Sequence, residues 1–280
     1  MELFFSYKDE LAKGSGYSHF SQEHIIWIAI TFGLVIVAAN ICRILRKRVG
    51  GIQKCYRLLG ILATTALALE VGKLIIAYRA GADLAKNLPL HLCSLSMFVN
   101  PIYLMVRNSR FGNYFAEITV ALLLPGEIIG VIIPNWNAYP GFSYMNGVGF
   151  LTHGIGIAFS VCLIIIGFMP RLKYYKAVPA FVVLVLETIY IYDINYKHNY
   201  AFLSYGPKGT PLKDIEKLIG REYYRMLYPL ALITLAFVMH FVIKGIAALR
   251  RRSLVTIDNN LVGSSVHTVR ESGTSIAVES

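Results

Sequence analysis

The stretch LPLHLCSLSMFVNPIYLMV, Leu88 to Val106, is apolar enough to cross a bilayer as a helix. Yet it opens on Pro89, His91 and Cys93 and carries Asn100 further in. A membrane helix gains no insertion energy from a histidine, so His91 marks a place where a polar group is used in an apolar setting. Pro89 suits the first turn of a helix, where a missing N–H is harmless, and Asn87 suits the cap before it. His91 would then point from the first turns towards the polar layer, with Ser94 on the same face. At a spacing of two, His91 and Cys93 would point about 160° apart around the helix. A thiolate–imidazolium pair is therefore not expected there, and Cys93 reads as an inert thiol.

The rest of the chain has the same apolar character. Of its 280 residues, 56% are hydrophobic and only 15% charged, where soluble domains carry about 25%. Mean hydropathy is +0.56. Apolar windows of membrane-crossing length fall near Ile25–Cys42, Leu58–Tyr78, Leu88–Val106, Phe115–Ile133, Val148–Phe168, Ala177–Ile194 and Met226–Ile246. Lipid cannot satisfy open backbone groups, so these are expected to be helices. The expectation is an all-α, polytopic bundle of seven transmembrane helices over residues 25–246. An extracytoplasmic or interfacial segment, 1–24, precedes it, and a basic, then disordered, cytoplasmic tail, 247–280, follows.

The net charge of +11 sits between the apolar blocks, where topology and lipid headgroups account for it. No nucleic-acid recognition motif accompanies it. Arg43, Arg46, Lys47, Arg48, Lys54 and Arg57 crowd the first loop, Arg107 and Arg110 the third, and Arg171, Lys173 and Lys176 the fifth. Arg250–Arg252 follow the last span. By the positive-inside rule these are cytoplasmic, so the N-terminus lies outside and the C-terminus inside. The sixth loop, Asn195–Arg225, runs against the rule with six basic residues and three acids. The first residues lack a basic, cleavable signal pattern. Cys42, Cys55, Cys93 and Cys162 are scattered, with no zinc or disulfide spacing.

Ionisable residues inside spans each cost roughly 2.5–3.5 kcal/mol on insertion and are candidates for function. Here they are Glu70, Lys73, His91, Glu117, Glu127, His153, Glu187 and Asp193. With the orientation above, all but Glu117 fall between mid-membrane and the outer face. Glu70 and Lys73, three apart, can neutralise each other. His153 sits among Gly147, Gly149, Gly154 and Gly156, which let another helix approach closely. Pro101 and Pro125 should bend their helices. Trp27 and Trp136 read as interfacial anchors. The sequence has no HxxxxD pair, HExxH, GxSxG, P-loop or dinucleotide fingerprint. No cofactor and no metal site is expected.

Four blocks in order, LPLHLCSLSMF, YFAEITVALLLP, FLTHGIGIAF and NYAFLSYGPKGTPLKDIEKLIGREYYRMLYPL, resemble the YwaF-like bacterial integral membrane proteins. The likeness runs from about Leu58 to Ile246, and the LPLHLC block is its specific part. That family is similar to animal multi-span proteins proposed to handle phospholipid acyl chains, which carry a cysteine beside the third-span histidine. Here Leu90 precedes His91 and the nearest thiol is Cys93, so the cysteine does not carry over. The resemblance implies His91 as the matching residue, with His153, Asn199 and Tyr200 matching the later blocks.

Two functions fit these residues. One is an enzyme of the cell membrane acting on lipid acyl chains in the outer leaflet. His91 would be its general base, His153 a second base or oxyanion donor, and Glu127 or Asp193 an orienter, with Asn199 and Tyr200 at the substrate. The other is a transporter or small-molecule-binding protein using the same cluster. Membrane lipids are the expected partners.

Overall fold

In a computed structural model the described residues are 2–207 and 210–272. The side chains of 2, 3, 247, 249 and all from 250 onward are excepted. The fold is helical throughout these residues. The helices are α1 Gln22–Arg46, α2 Gly51–Arg79, α3 Cys93–Val106, α4 Gly112–Ile132, α5 Tyr144–Ile166, α6 Leu172–Tyr196, α7 Pro211–Ile219 and α8 Arg221–Ser272. Six of them are long and apolar enough to cross a membrane: α1, α2, α4, α5, α6 and the Arg221–Ile246 part of α8. The protein is a multi-pass membrane protein. The tail read as disordered lies outside the described residues in its side chains, and from residue 273 in its backbone.

The seventh expected span, Leu88–Val106, is helical only in part. Its helix begins only at Cys93 and is about 21 Å long at 1.5 Å per residue, short of a hydrocarbon core of about 30 Å. Leu88–Leu92 is irregular, with the Leu90 N–H bonded to the Leu88 carbonyl at 2.9 Å. Pro89 disfavours helical geometry in the residue before it, and hydropathy does not register that. Asn87 does not cap α3 either. It ends the short turn Leu84–Lys86 and accepts the Tyr7 hydroxyl at 2.7 Å.

α4 and α5 are buried along most of their length and form the centre. α1, α2, α6 and α8 surround them and are exposed along most of theirs. Ile36, Ile61, Leu184 and Leu230 are among the large apolar side chains left on the outside. On a soluble protein such a surface would drive association; in lipid it is simply solvated. Ahead of Pro125 the helix has a wide turn, Ile118–Leu123, in which the Leu124 N–H reaches back to the Thr119 carbonyl. α6 has a similar turn at Val182–Leu186. Three of the scattered cysteines converge where α1, α2 and α5 meet. Cys55 Sγ lies 3.3 Å from the Cys42 carbonyl, and Cys162 Sγ 3.7 Å from that of Ala38. They pack as small apolar groups, and all four cysteines are free. At the end with the basic loops, Arg46 donates to the Ile165 carbonyl near the C-terminus of α5, a cation where the helix dipole is negative.

α8 is tied to α4 by a pair that neither apolar pattern shows. His240 Nδ1 lies 2.5 Å from Glu117 Oε1, and both side chains are fully buried. Among the described residues, Glu117 Oε2 and His240 Nε2 have no hydrogen-bond partner. Removing one member leaves the other polar, buried and unpaired, a loss of about 3–5 kcal/mol. Glu117→Ala and His240→Ala should therefore each lower the melting temperature in detergent sharply. The double variant Glu117→Leu/His240→Phe should recover most of that loss.

Candidate functional site

The site is built where α4 and α5 pass each other. Glu127 on α4 and His153 on α5 are both buried, at 2% and 6% exposure. His153 Nε2 stands 3.8 Å from Glu127 Oε2. The two helices approach this closely because each offers a glycine to the other's side chain. A Cβ on Gly156 would collide with Glu127 Oε1, and one on Gly130 would fall 2.5 Å from His153 Nε2. Glu127 thus sits over Gly156 and His153 over Gly130, in antiparallel register. Trp136 covers the imidazole, with ring centres 4.6 Å apart, and its indole also leans over Gly149, where a Cβ would fall 2.5 Å from Trp136 Nε1. Trp136 is therefore a wall of the site, where an interfacial anchor was expected.

Hydrogen bonds assign the imidazole protons. His153 Nδ1 lies 2.7 Å from the Gly149 carbonyl, an acceptor only. Nδ1 must therefore carry hydrogen. Neutral His153 presents an unshared pair at Nε2, which has no other hydrogen-bond partner and faces the carboxyl group. His91 is the reverse. Its Nδ1 accepts the Ala201 N–H at 3.3 Å, so in the neutral ring Nε2 holds the hydrogen and is a donor.

Around this pair stand Ser96, beside the Glu127 carboxyl, and Cys93, within electrostatic reach of Glu127 and of Tyr228 on α8. Lys73 forms the expected ion pair with Glu70 on α2 and also lies within electrostatic reach of His91 and Cys93. His91 is within the same reach of His153. His91 and Cys93 are only half-buried, so the cluster keeps an accessible side. The irregular backbone before Cys93 removes the helical geometry on which the 160° separation was reckoned, and Cys93 stays within electrostatic reach of Glu127, Tyr228 and Lys73.

Asn199 and Tyr200 belong to a loop that closes over His91, and Asp193 to the end of α6 before it. Asn199 holds the loop in shape. Its Oδ1 accepts the Ser204 N–H at 2.8 Å, and its Nδ2 donates to the Tyr205 carbonyl at 2.7 Å. The Tyr200 ring packs 5.3 Å from His91, and its hydroxyl donates to the Ala85 carbonyl at 3.1 Å. Burial pushes the Tyr200 phenol above its ordinary pKa, so it stays a donor. Asp193 is buried against the backbone of Tyr200, with both carboxylate oxygens otherwise unpartnered. Ala201 and Phe202 both take positive φ, 50° and 60°. Two successive residues with a Cβ are rarely held so, and this turn is what presents the Ala201 N–H to His91. Burial, with Lys8 and Lys86 nearby, lowers the pKa of neighbouring His198 below its usual value. Glu187 is exposed on α6 and takes no part.

The structure thus joins Glu127 and His153 in one group and His91, Asp193, Asn199 and Tyr200 in another, with Cys93 beside the first. Gly156 was legible as a place where another helix comes close, but Gly130 and Ser96 escaped sequence reasoning. His240 also escaped it, although an ionisable residue in an apolar span is itself the signal.

Overpacking a close contact costs about 1–3 kcal/mol. Gly156→Ala should lower thermal stability by that amount, and by markedly less in a Glu127→Ala background, because the carboxyl it displaces is then gone. Equal losses in both backgrounds would place the strain elsewhere. The loop gives a pH dependence. Glu216 accepts the Lys213 ammonium at 2.7 Å and the Gly206 N–H at 3.0 Å. Lys213 first, then Gly206, holds its pKa below the ordinary 4.5. The contribution is complete above the unfolded pKa and lost as pH falls through the lower folded one. Hydrogen exchange across residues 199–206 should stay slow from neutral pH to about 4.5 and quicken below. Glu216→Gln should remove the acid step.

Residues 19–244 match the TMEM164 family. No curated protein and no solved structure matches the chain. The narrower likeness to YwaF-like proteins rests on the four sequence blocks alone.

Proposed function

The chain belongs to the TMEM164 family, a family of membrane proteins, and from that premise we propose that it is a cell-membrane enzyme that transfers lipid acyl chains. The observation that carries this reading is the buried Glu127–His153 pair, with its free Nε2 facing a carboxyl group that is within electrostatic reach of the Cys93 thiol. Such a pair is suited to taking and returning a proton as a unit. The opposite tautomers divide the work between the histidines. His153 is the base. His91, a donor at Nε2, polarises the substrate carbonyl, which replaces the role of general base expected for it.

The reaction proceeds in two balanced steps. The Glu127–His153 pair takes the thiol proton, and Cys93 sulfur attacks the ester carbonyl of an acyl chain. The carbon–oxygen bond breaks, the proton passes to the departing alcohol oxygen, and the acyl group remains as a thioester. A second hydroxyl then attacks the thioester, its proton goes to the pair, and the thiol is restored. Lys73 offers positive charge to the sulfur as its charge develops. The seven-crossing topology, with α3 and Leu88–Leu92 together traversing the membrane and the N-terminus outside, belongs to the same proposal. The arginine-rich loops support it, and it opens the site towards the outer leaflet.

The test is turnover of a phospholipid carrying a labelled acyl chain by the purified protein in nanodiscs, followed by mass spectrometry of both lipid and protein. Wild type should move the label and gain the mass of one acyl chain. Cys93→Ser and His153→Ala should each lose about 10²–10⁴-fold in rate per folded molecule, and His91→Ala about 10²–10³-fold, with melting temperatures near wild type for Cys93→Ser and His91→Ala. Full turnover in Cys93→Ser would remove the thioester. Solute flux in liposomes without covalent change to any lipid would replace the enzyme with a transporter.

A further inference from the structure

The sixth loop carries basic residues on the side where the positive-inside rule expects few. Two of the six are balanced in place. Lys213 pairs with Glu216 at 2.7 Å and Lys217 with Asp214 at 3.2 Å. Arg221 and Arg225 are different. Among the described residues no carboxylate lies within ion-pair distance of either. Both line a cavity of about 530 Å³ between the outer ends of α6 and α8, together with Tyr190, Ser204 and Glu222.

Aromatic rings hold the two guanidinium groups in place. Arg225 lies over the Tyr190 ring at 4.5 Å and donates to its hydroxyl. Arg221 lies 5.2 Å from the centre of the Tyr205 ring, and its Nε donates to the Ser204 carbonyl at 3.1 Å. One N–H of each is thereby used and four remain, in the planar fork that matches phosphate oxygens. The apolar residues on the cavity wall, Ile194 and Met226, are 59% and 73% exposed, and Ile191 and Leu230 continue the exposed apolar surface along the two helices.

The depth follows from α7. Pro211–Ile219 is strongly amphipathic: Lys213, Asp214 and Lys217 are its polar side, whereas Ile215 and Leu218 stand 46% and 85% exposed. A short helix with a bare apolar side lies in the plane of the interface, its apolar face at the boundary between headgroups and acyl chains. Gly220 alone separates its end from Arg221, so the arginine pair sits at headgroup depth.

We propose that this groove docks the phosphodiester of a membrane phospholipid, with an acyl chain running down α6 and α8 along Ile194, Met226 and Leu230. Glu222 selects among phosphates. Two arginines and one glutamate leave a single positive charge, which matches the one negative charge of a phosphodiester. Free phosphate and phosphate monoesters approach two negative charges near neutral pH and meet the glutamate as a repulsion. The proposal does not draw on the acyl-transfer reading.

Native mass spectrometry of the purified protein tests it, with phosphatidylglycerol and diacylglycerol of the same acyl chains as probes. Wild type should retain one phosphatidylglycerol through delipidation and no diacylglycerol. Arg221→Gln/Arg225→Gln should retain it at least about tenfold less, a loss of about 1.4 kcal/mol or more. Glu222→Gln should hold phosphatidylglycerol more tightly and newly accept phosphatidic acid, a gain that misfolding cannot imitate. Equal retention by wild type and the arginine double variant would overturn the site, as would retention of diacylglycerol or no gain with Glu222→Gln. Displacement of the lipid by millimolar inorganic phosphate would make it a site for a free anion and overturn the lipid assignment. Failure of acyl transfer would leave these results unchanged.

Discussion

The contact between α4 and α5 organises this protein. A carboxyl group and an imidazole are costly in the middle of an apolar bundle, and each is accommodated by a missing side chain on the opposite helix. Gly156 makes room for Glu127, and Gly130 for His153. The same absence of side chains brings the helices close enough for the two polar groups to meet. Everything else is arranged about that pair: Cys93 and Ser96 arrive on the short α3, Trp136 closes the top, and α1, α2, α6 and α8 keep lipid away from it.

A second constraint acts at one end of the bundle. The N-terminal segment, the turn before α3 and the loop after α6 are bonded to one another. Tyr7 reaches Asn87, Tyr192 and Tyr200 both reach the Ala85 carbonyl, and Ala201 reaches His91. Three tyrosine hydroxyls and a strained turn therefore do for Leu84–Leu92 what a helical ladder does elsewhere. Tyr17 and His19 extend the same cap onto Asn146 and Pro134.

Much of this was legible in the chain. Long apolar blocks in lipid have one backbone solution, so six helices follow from hydropathy. Glu127 and His153 were found because ionisable groups in such blocks stand out. The irregular start of the third block was not legible, because hydropathy does not weigh the effect of Pro89 on its neighbours or the pull of a loop far along the chain. Gly156 was legible as room for a neighbouring helix, but not as room for Glu127, and Gly130 escaped, because a glycine's partner is defined by what lies opposite it. The opposite tautomers of His91 and His153 had no signal in sequence at all. They depend on which ring nitrogen meets a carbonyl and which meets an N–H.

The short α3 has a consequence for how the protein is made. Leu88–Leu92 has no helical ladder of its own, and the His91 ring gets its backbone donor from Ala201, 110 residues further on. A nascent chain that has delivered α1 to α3 to the membrane has not yet synthesised that partner. Until α6 and the loop after it emerge, the start of α3 lacks the groups that shield it from lipid. The amino-terminal half therefore has to wait, at the interface or in the care of the insertion machinery, and its site closes only when synthesis is nearly complete.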